Sequence, residues 1–187
     1  MRVIAGAAKG KRLGPVPPGV RPVSDRAREG LLSSLASDVP GSRVLDLFAG
    51  TGALGIEALS RGADHAVFVD RSHRAAATIR DNLARTGLAD RATVLVLTAE
   101  GYLGGPPADP FDLVFIDPPY EVGSELDRVL AALDSGWLAE GWTLALTRGN
   151  RSSTPVIPVD WVVARRLRYG DSLVTVFRPA NQEIGWA

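Results

Sequence analysis

Cysteine is absent from the 187-residue sequence, and histidine occurs only twice, at His65 and His73. The lack of cysteine excludes disulfide bonds and zinc–thiolate clusters, and the shortage of histidine argues against Cys/His nucleophile chemistry. We therefore expect no metal site. Any reaction must depend on carboxylates, backbone groups and a bound cofactor.

Long apolar runs are also missing. Residues 1–9 carry too short an apolar stretch for a signal peptide, and no later run approaches the roughly 18 apolar residues of a membrane span. We therefore expect a cytoplasmic protein with no membrane partner. Hydrophobic residues make up 45% of the chain, which is enough for the core of about one domain. Nothing in the pattern requires more than a monomer.

Charge is balanced overall but not along the chain. Residues 1–30 contain seven basic and two acidic residues, a net charge of +5, which leaves −5 for the remainder. A basic segment on an acidic body favours a polyanionic partner such as a nucleic acid, although a solvated surface hairpin would have the same composition. The candidate contacts to nucleic acid are Arg2, Lys9, Lys11, Arg12, Arg21, Arg26 and Arg28.

The pattern of the first 40 residues predicts a small extension rather than part of the core. Two short strands at 2–6 and 11–13, joined by a Gly/Lys turn, form an expected N-terminal arm that continues into the proline-rich stretch 15–19. A helix should begin at Ser24 or Asp25 and run through Ala36. We therefore divide the chain into an extension, residues 1–40, and a main domain, residues 41–187.

Short apolar runs alternate with helical stretches from residue 43 onward, which indicates a parallel α/β sheet. Strands are expected at 43–48, 65–69, 93–97, 112–117 and 143–147, and helices near 53–61, 72–86 and 123–134. Two β-rich runs at 161–169 and 173–177, separated by Gly-Asp-Ser, predict a terminal antiparallel hairpin. Five parallel strands followed by this hairpin fit the seven-stranded, Rossmann-like sheet of class I methyltransferases better than an all-parallel dinucleotide-binding sheet.

A glycine-rich turn at residues 50–55 follows the first strand and begins a helix. Such a turn lets the backbone approach a nucleotide, but it is compatible with both NAD and S-adenosylmethionine. The carboxylate of Asp46 at the strand end favours S-adenosylmethionine, because it would repel a pyrophosphate and attract a cationic amino-acid end. Expected cofactor contacts from this turn are Asp46, Phe48, Gly50 and Gly52.

Two further strand ends supply candidate cofactor contacts. Asp70 ends the second strand, where an acid can accept both ribose hydroxyls, and Arg71 follows it. Thr98 and Ala99 end the third strand, at the height of adenine contacts in such sheets. Backbone groups around Ala99 are the expected contacts there, while a plain loop is an equal alternative to a side-chain contact from Thr98 or Glu100.

The stretch Asp117-Pro118-Pro119-Tyr120 follows an apolar strand and is the most specific motif in the sequence. Two prolines rigidify the turn and fix both the Asp117 carboxylate and the Pro118 carbonyl. These acceptors can hold the two N–H bonds of an exocyclic amine, with Asp117 also next to the cofactor, and Tyr120 can stack on the target base. The motif therefore predicts Asp117, Pro118 and Tyr120 as catalytic residues of an amino-methyltransferase.

The chain resembles the bacterial RsmD family over nearly its whole length. The resemblance is carried by residues 2–6, 21–29, 46–62 and 117–120, of which the Arg-Pro-x-x-Asp-Arg-x-Arg-Glu segment at 21–29 is the most restrictive. It implies transfer of a methyl group from S-adenosylmethionine to N2 of a guanine in a 16S ribosomal RNA hairpin loop, on the 30S subunit or a late assembly intermediate. It also implies that Arg21, Asp25, Arg26 and Arg28 help to form the RNA and cofactor pocket. Asp70 stands where relatives often carry Glu, which preserves a ribose acceptor, and the end of the third strand is less typical.

Other functions remain open at this point. A DNA adenine or cytosine N-methyltransferase would share both motifs, but 187 residues leave little room for a target-recognition domain. A protein-glutamine methyltransferase would favour Asn in the tetrad. An NAD-dependent oxidoreductase or a non-catalytic nucleotide-binding module could use the glycine turn but would leave residues 117–120 unexplained.

Overall fold

The computed structural model describes residues 1–16, 24–107, 109–119, 123–150, 152 and 154–180. Five helices, one short 3-10 helix and seven strands are found within these ranges. In chain order they are α1 Asp25–Ser34, β1 Arg43–Leu47, α2 Ala53–Ser60, β2 His65–Asp70, α3 His73–Thr86, the 3-10 helix Ala89–Arg91, β3 Ala92–Val96, α4 Ala99–Leu103, β4 Phe111–Ile116, α5 Gly123–Leu133, β5 Leu138–Gly149, β6 Trp161–Tyr169 and β7 Ser172–Pro179.

The strands form one sheet in the order β3-β2-β1-β4-β5-β7-β6. The first five strands are parallel, and β7 pairs antiparallel with both β5 and β6. β1 and β4 are almost continuously buried because helices cover both faces of the sheet, which explains why their sequences are apolar runs rather than alternating patterns. The predicted class I methyltransferase sheet with its C-terminal hairpin is confirmed.

Two hydrophobic clusters fill the space on either side of the sheet. Side chains of β1 and β2 contribute to both clusters, because successive residues of a strand point to opposite faces. The cluster that includes the helices α1, α2 and α3 also contains Val3, Ala8 and Leu13. The expectation that the N-terminal arm lies outside the core is therefore wrong, because these three side chains are buried in the main cluster.

Several predicted element bounds differ from the structure. The predicted strand pairing within the arm is reduced to one isolated bridge between Arg2 and Arg12. The first helix ends at Ser34 rather than Ala36. β5 begins at Leu138 rather than Thr143, since a register shift opposite Phe111 and Leu113 lets its early residues join the sheet.

Candidate active site

β1 lies between β2 and β4. The strand order therefore reverses at β1: β2 and β3 follow on one side of it, and β4 and β5 lie on the other. In open α/β sheets such a reversal opens a crevice outside the carboxyl ends of the strands. Asp46 in β1, Asp70 at the end of β2 and Asp117 directly after β4 all lie at this edge. The structure thus brings together three of the carboxylates that the sequence indicated.

The turn after β1 has an unusual backbone. Phe48 has φ +57°, and it is the one residue other than glycine with a positive φ among those described; Gly50 and Gly52 have φ +55° and +72°. A bulky residue in this region is strained, which is typical of segments held in place for ligand binding. The turn is fixed because Gly52 N–H donates to Ala49 O at 2.7 Å and Ala49 N–H donates to Val69 O at 3.2 Å.

Gly55 allows α2 to approach the sheet closely. A Cβ at this position would lie 2.4 Å from Phe68 Cε1 and 3.2 Å from Asp46 Oδ2. Its N–H donates to Asp46 Oδ2 at 3.0 Å. Glycine at this position thus holds the Asp46 carboxylate against the first turn of the helix.

Asp46 is a carboxylate in a costly environment. Asp46 is only 2% exposed. Burial raises the pKa of the Asp46 carboxyl well above its usual range; the Gly55 N–H opposes this, and the charges of Asp117 and Asp70 raise the pKa further. A buried acid beside two other carboxylates is suited to a cation, which would relieve their mutual repulsion. This environment fits the cationic amino-acid end of S-adenosylmethionine.

Asp70 is oriented by the backbone on both sides. Its Oδ2 accepts from Gly50 N–H and its Oδ1 from Ser72 N–H, both at 2.8 Å. Each oxygen keeps a second lone-pair direction, so the carboxylate can still accept ribose hydroxyls. Arg71 lies next to it and is exposed.

Thr98 and Ala99 form the start of a helix that the sequence did not predict. Thr98 is the N-cap of α4, where its Oγ1 accepts from Gly101 N–H at 3.0 Å. Ala99 is buried, whereas Thr98 and the preceding Leu97 are exposed. The Thr98 hydroxyl thus has a structural role, and a role in adenine contact stays a prediction.

The predicted catalytic motif begins where β4 ends. Asp117 and Pro118 are half-buried and Pro119 is exposed at the carboxyl-end edge of the sheet. Tyr120, the predicted stacking residue, and Arg21, a predicted RNA contact, lie outside the described residues. Among the described residues, no group of three or more His, Cys, Asp or Glu side chains is arranged to hold a metal ion.

The structure does not present Arg28, a predicted RNA contact, at the surface, because its side chain is 0% exposed. It donates to Arg2 O at 2.5 Å and to Asp25 Oδ1 at 3.1 Å, and it lies 3.7 Å from Glu57 Oε2. Burial lowers the pKa of its guanidinium, while Asp25 and Glu57 oppose the shift. Arg28 therefore joins α1 to the N-terminal residues and α2. Asp25, whose side chain is 54% exposed, is its partner at the surface.

The lysines of the arm lie far from this edge. The turn that contains Lys9 is held against Ser60, the last residue of α2, by bonds from Ala7 N–H and Ala8 N–H. The Lys11 ammonium donates to Thr86 O at 2.8 Å, at the end of α3. Since α3 starts at the carboxyl-end edge and has 14 residues, Lys11 lies about 20 Å from its start.

The arginines Arg2, Arg12 and Arg26 are exposed. Arg2 and Arg12 face each other across the bridge, with Val3 N–H donating to Lys11 O and Leu13 N–H donating to Met1 O on either side. Like charges in such a pair repel each other. An anionic partner would remove this repulsion.

Sequence reasoning missed the role of Glu57. This residue is 1% exposed, and its carboxylate accepts from Ile4 N–H, Ala5 N–H and Arg61 Nε. The available signal was a single acid within the apolar helix ALGIEALS, because a charge in such a helix must be paired.

Comparisons with known proteins agree with this site. A family model described as conserved hypothetical protein 95 matches residues 1–178. The chain is 36% identical over 167 residues to ribosomal RNA small subunit methyltransferase D of Escherichia coli, covering 88% of this chain and 83% of that protein. It is 35% identical over 182 residues to a candidate rRNA methyltransferase of Bacillus subtilis, YlbH, covering 95% and 98%.

Solved structures agree as well. A candidate methyltransferase of Escherichia coli, YhhF, superposes with a TM-score of 0.86 at 32% identity and covers 97% of this chain and 99% of that one. A candidate methyltransferase solved with SAH has a TM-score of 0.69 at 16% identity, covering 81% of this chain and 49% of that one, which shows the fold alone. Because the family model matches nearly the whole length and the relatives are methyltransferases, the chain belongs to the conserved hypothetical protein 95 family, the RsmD family of rRNA methyltransferases.

Proposed function

We propose that this chain transfers a methyl group from S-adenosylmethionine to the exocyclic N2 of a guanine in 16S ribosomal RNA. The observation that carries the proposal is the meeting of Asp46, Asp70 and Asp117 at the edge where β1, β2 and β4 end. When bound, S-adenosylmethionine supplies an electrophilic methyl group on a sulfonium. Asp46 would hold its cationic end, and Asp70 its ribose.

The acceptor amine is the part of the reaction that the protein must position. The lone pair of an exocyclic amine is delocalised into the base, so it is a weak nucleophile until it is oriented. Asp117 and the carbonyl of Pro118 would accept its two N–H bonds. In this arrangement the Asp117 carboxylate also stabilises positive charge that develops on the nitrogen.

The basic N-terminal residues support RNA as the substrate. Arg2 and Arg12 are opposed on one exposed bridge and Arg26 is exposed on α1. Phosphate contacts depend on local rather than net charge, so a chain of zero net charge can bind RNA by such a surface. We further propose that the substrate is the 30S subunit or a late assembly intermediate and that the enzyme acts in the cytoplasm as a monomer. No described helix combines the length and apolarity of a membrane span.

The test is methyl transfer from tritiated S-adenosylmethionine to 30S particles from cells that lack this gene. The particles are digested after the reaction and the labelled nucleoside is identified by chromatography. We expect label in N2-methylguanosine from 16S ribosomal RNA. Label in DNA adenine or cytosine, offered as a competing substrate, would contradict the proposal.

A further inference from the structure

A group of arginines that are not among the predicted RNA contacts lies on the outermost strand of the sheet, β6. β6 has the sequence WVVARRLRY, which contains three arginines and no acid, and Arg165, Arg166 and Arg168 are all exposed. Toward the residues that the structure describes, Arg166 and Arg168 form no hydrogen bond or ion pair. The side chains of Arg166 and Arg168 are therefore available to a partner.

Arg166 and Arg168 share one face of the sheet with Arg148 of β5. Leu167, between them, packs against the cluster beneath α1, so its two neighbours point to the opposite face. Arg148 pairs with Leu173 of β7, which in turn pairs with Arg168. Residues in register share a face, so Arg148 and Arg168 lie about 10 Å apart, two strand spacings, on one row. We call Arg148, Arg166 and Arg168 the hairpin arginine patch.

The hairpin arginine patch lies at the same edge as the candidate active site. Ile116 of β4 pairs with Leu146 of β5, so Arg148 is level with Pro118. Leu173 and Thr175 of β7, which lie between the arginines of β5 and β6, are half-buried, so none of the described helices covers this part of the face. Three strand spacings separate Pro118 from Arg168, a distance of about 14 Å.

Protection of the outermost strand, β6, against pairing with other chains does not explain the patch. β6 is an edge strand, and charged residues on edge strands prevent pairing with other chains. Arg148, however, belongs to β5, which is paired on both sides. Charges of either sign would protect an edge, yet the acids nearest in sequence are Asp160, at the opposite end of β6, and Asp171, in the turn after it.

α1 presents a further basic residue at the same edge. Gly30 lies against Tyr169, at the carboxyl end of β6. Ser34 O accepts from Arg165, which is four residues earlier in the same strand. α1 therefore runs antiparallel to β6, and its first residues, including exposed Arg26, extend toward the active-site edge. Lys9 and Lys11, in contrast, lie at the ends of α2 and α3 on the opposite side.

We propose that the hairpin arginine patch binds the phosphate backbone of the substrate RNA beside the target nucleotide. The inference rests on the proposed function, since it takes ribosomal RNA as the substrate. Arginine suits this task because its planar guanidinium forms paired hydrogen bonds to phosphate oxygens and keeps its charge. RNA seated on the patch would lie beside Pro118, which follows Asp117 at the end of β4.

The test compares the salt dependence of binding to transcribed 16S ribosomal RNA. We expect Arg166→Gln/Arg168→Gln to weaken binding and to lower the slope of log affinity against log salt by about 2, about 1 for each lost phosphate contact. The variant Arg166→Lys/Arg168→Lys, which keeps both charges, should retain most of the slope. Arg85→Gln is the matched control, since Arg85 is an exposed arginine in the last turn of α3, and it should leave the slope unchanged.

Binding of S-adenosylhomocysteine, measured by calorimetry on the same variants, should match wild type and thereby shows that they are folded. Hydroxyl-radical footprinting of wild-type protein should show protection of β6 when RNA is bound. A glutamine variant with the slope of the Arg85→Gln control would overturn the inference, as would an unprotected β6. If wild-type protein neither binds nor methylates the RNA, the proposed function itself fails.

Discussion

Asp46 is the residue at which stability and binding should oppose each other. Its carboxyl is buried, and its raised pKa means that the folded state holds a proton that the unfolded state releases at a lower pH. As pH rises from the unfolded value of about 3.9, wild-type protein loses about 1.4 kcal/mol of stability per pH unit until the folded pKa is reached. Above that pH the ionised carboxylate lowers the stability of the folded protein by a constant amount, and a bound cation would offset this loss.

We therefore expect Asp46→Asn to raise the free energy of unfolding of the ligand-free protein. The asparagine Oδ1 can still accept from Gly55 N–H, while the charge is removed. The gain should be near zero below about pH 4, increase as pH rises and level off above the folded pKa. Urea denaturation at several pH values measures it, and calorimetry should show weakened S-adenosylmethionine binding. A variant less stable than wild type at neutral pH would contradict the sign.

Asp117 should contribute to catalysis more than to cofactor binding. We expect Asp117→Ala to lower kcat for methyl transfer by about 10²–10³-fold, the usual effect of removing one preorganised transition-state contact. Affinity for S-adenosylhomocysteine should stay within a few-fold of wild type. Asp81→Ala, which removes an exposed carboxylate from α3, is the control and should leave kcat unchanged. Undiminished turnover in Asp117→Ala would remove this residue from the mechanism.

At the scale of elements, α2 connects the N-terminal residues to the cofactor turn. Glu57 accepts from two N–H groups of the N-terminal segment and faces Arg28 of α1, while Gly52 of the cofactor turn is the N-cap of the same helix. We expect Glu57→Ala to lower the free energy of unfolding by about 3–5 kcal/mol, because Arg28 would stay buried without this partner. Chemical denaturation measures the loss, with Glu29→Ala, an exposed acid of α1, as the control.

Proteolysis at low protease concentration gives a second readout for Glu57→Ala. Cleavage should begin within the first 16 residues, whose backbone loses two hydrogen bonds. Equal cleavage rates in the variant and in wild type would show that the buried apolar residues alone hold this segment in place.

The elements that the sequence predicted well are those whose signal is local. β1, β2 and β4 are apolar runs that end at a glycine turn or an Asp, and their bounds agree with the prediction to within one residue. α4 was missed because its five residues are too few for a helical period, although the Thr98 cap was visible. The early residues of β5 depend on pairing with Phe111, which no local pattern reveals.

The residues of the candidate site also differ in how well the sequence predicts them. Asp46, Asp70 and Asp117 could be found because each ends a strand, and parallel strands end at one edge. The burial of Arg28 could not be predicted, because it depends on Glu57 from an element 29 positions away. Composition likewise placed Lys9 and Lys11 with the other basic residues, but chain folding separates them from the active-site edge.

At the scale of the whole molecule, the carboxyl-end edge of the sheet and the opposite, amino-end edge carry different residues. One edge carries the three carboxylates, the motif that begins at Asp117 and the exposed arginines Arg26 and Arg168; the other carries Lys9 and Lys11. This arrangement predicts that one edge meets both the cofactor and the RNA.

The most direct test of the proposed function is analysis of 16S ribosomal RNA from the host after deletion of this gene. Mass spectrometry of oligonucleotides from its nuclease digest should show that N2-methylguanosine is lost at one position. The wild-type gene should restore the modification, and the Asp117→Ala gene should not. An unchanged modification pattern in the deletion strain, or full restoration by the Asp117→Ala gene, would contradict the account.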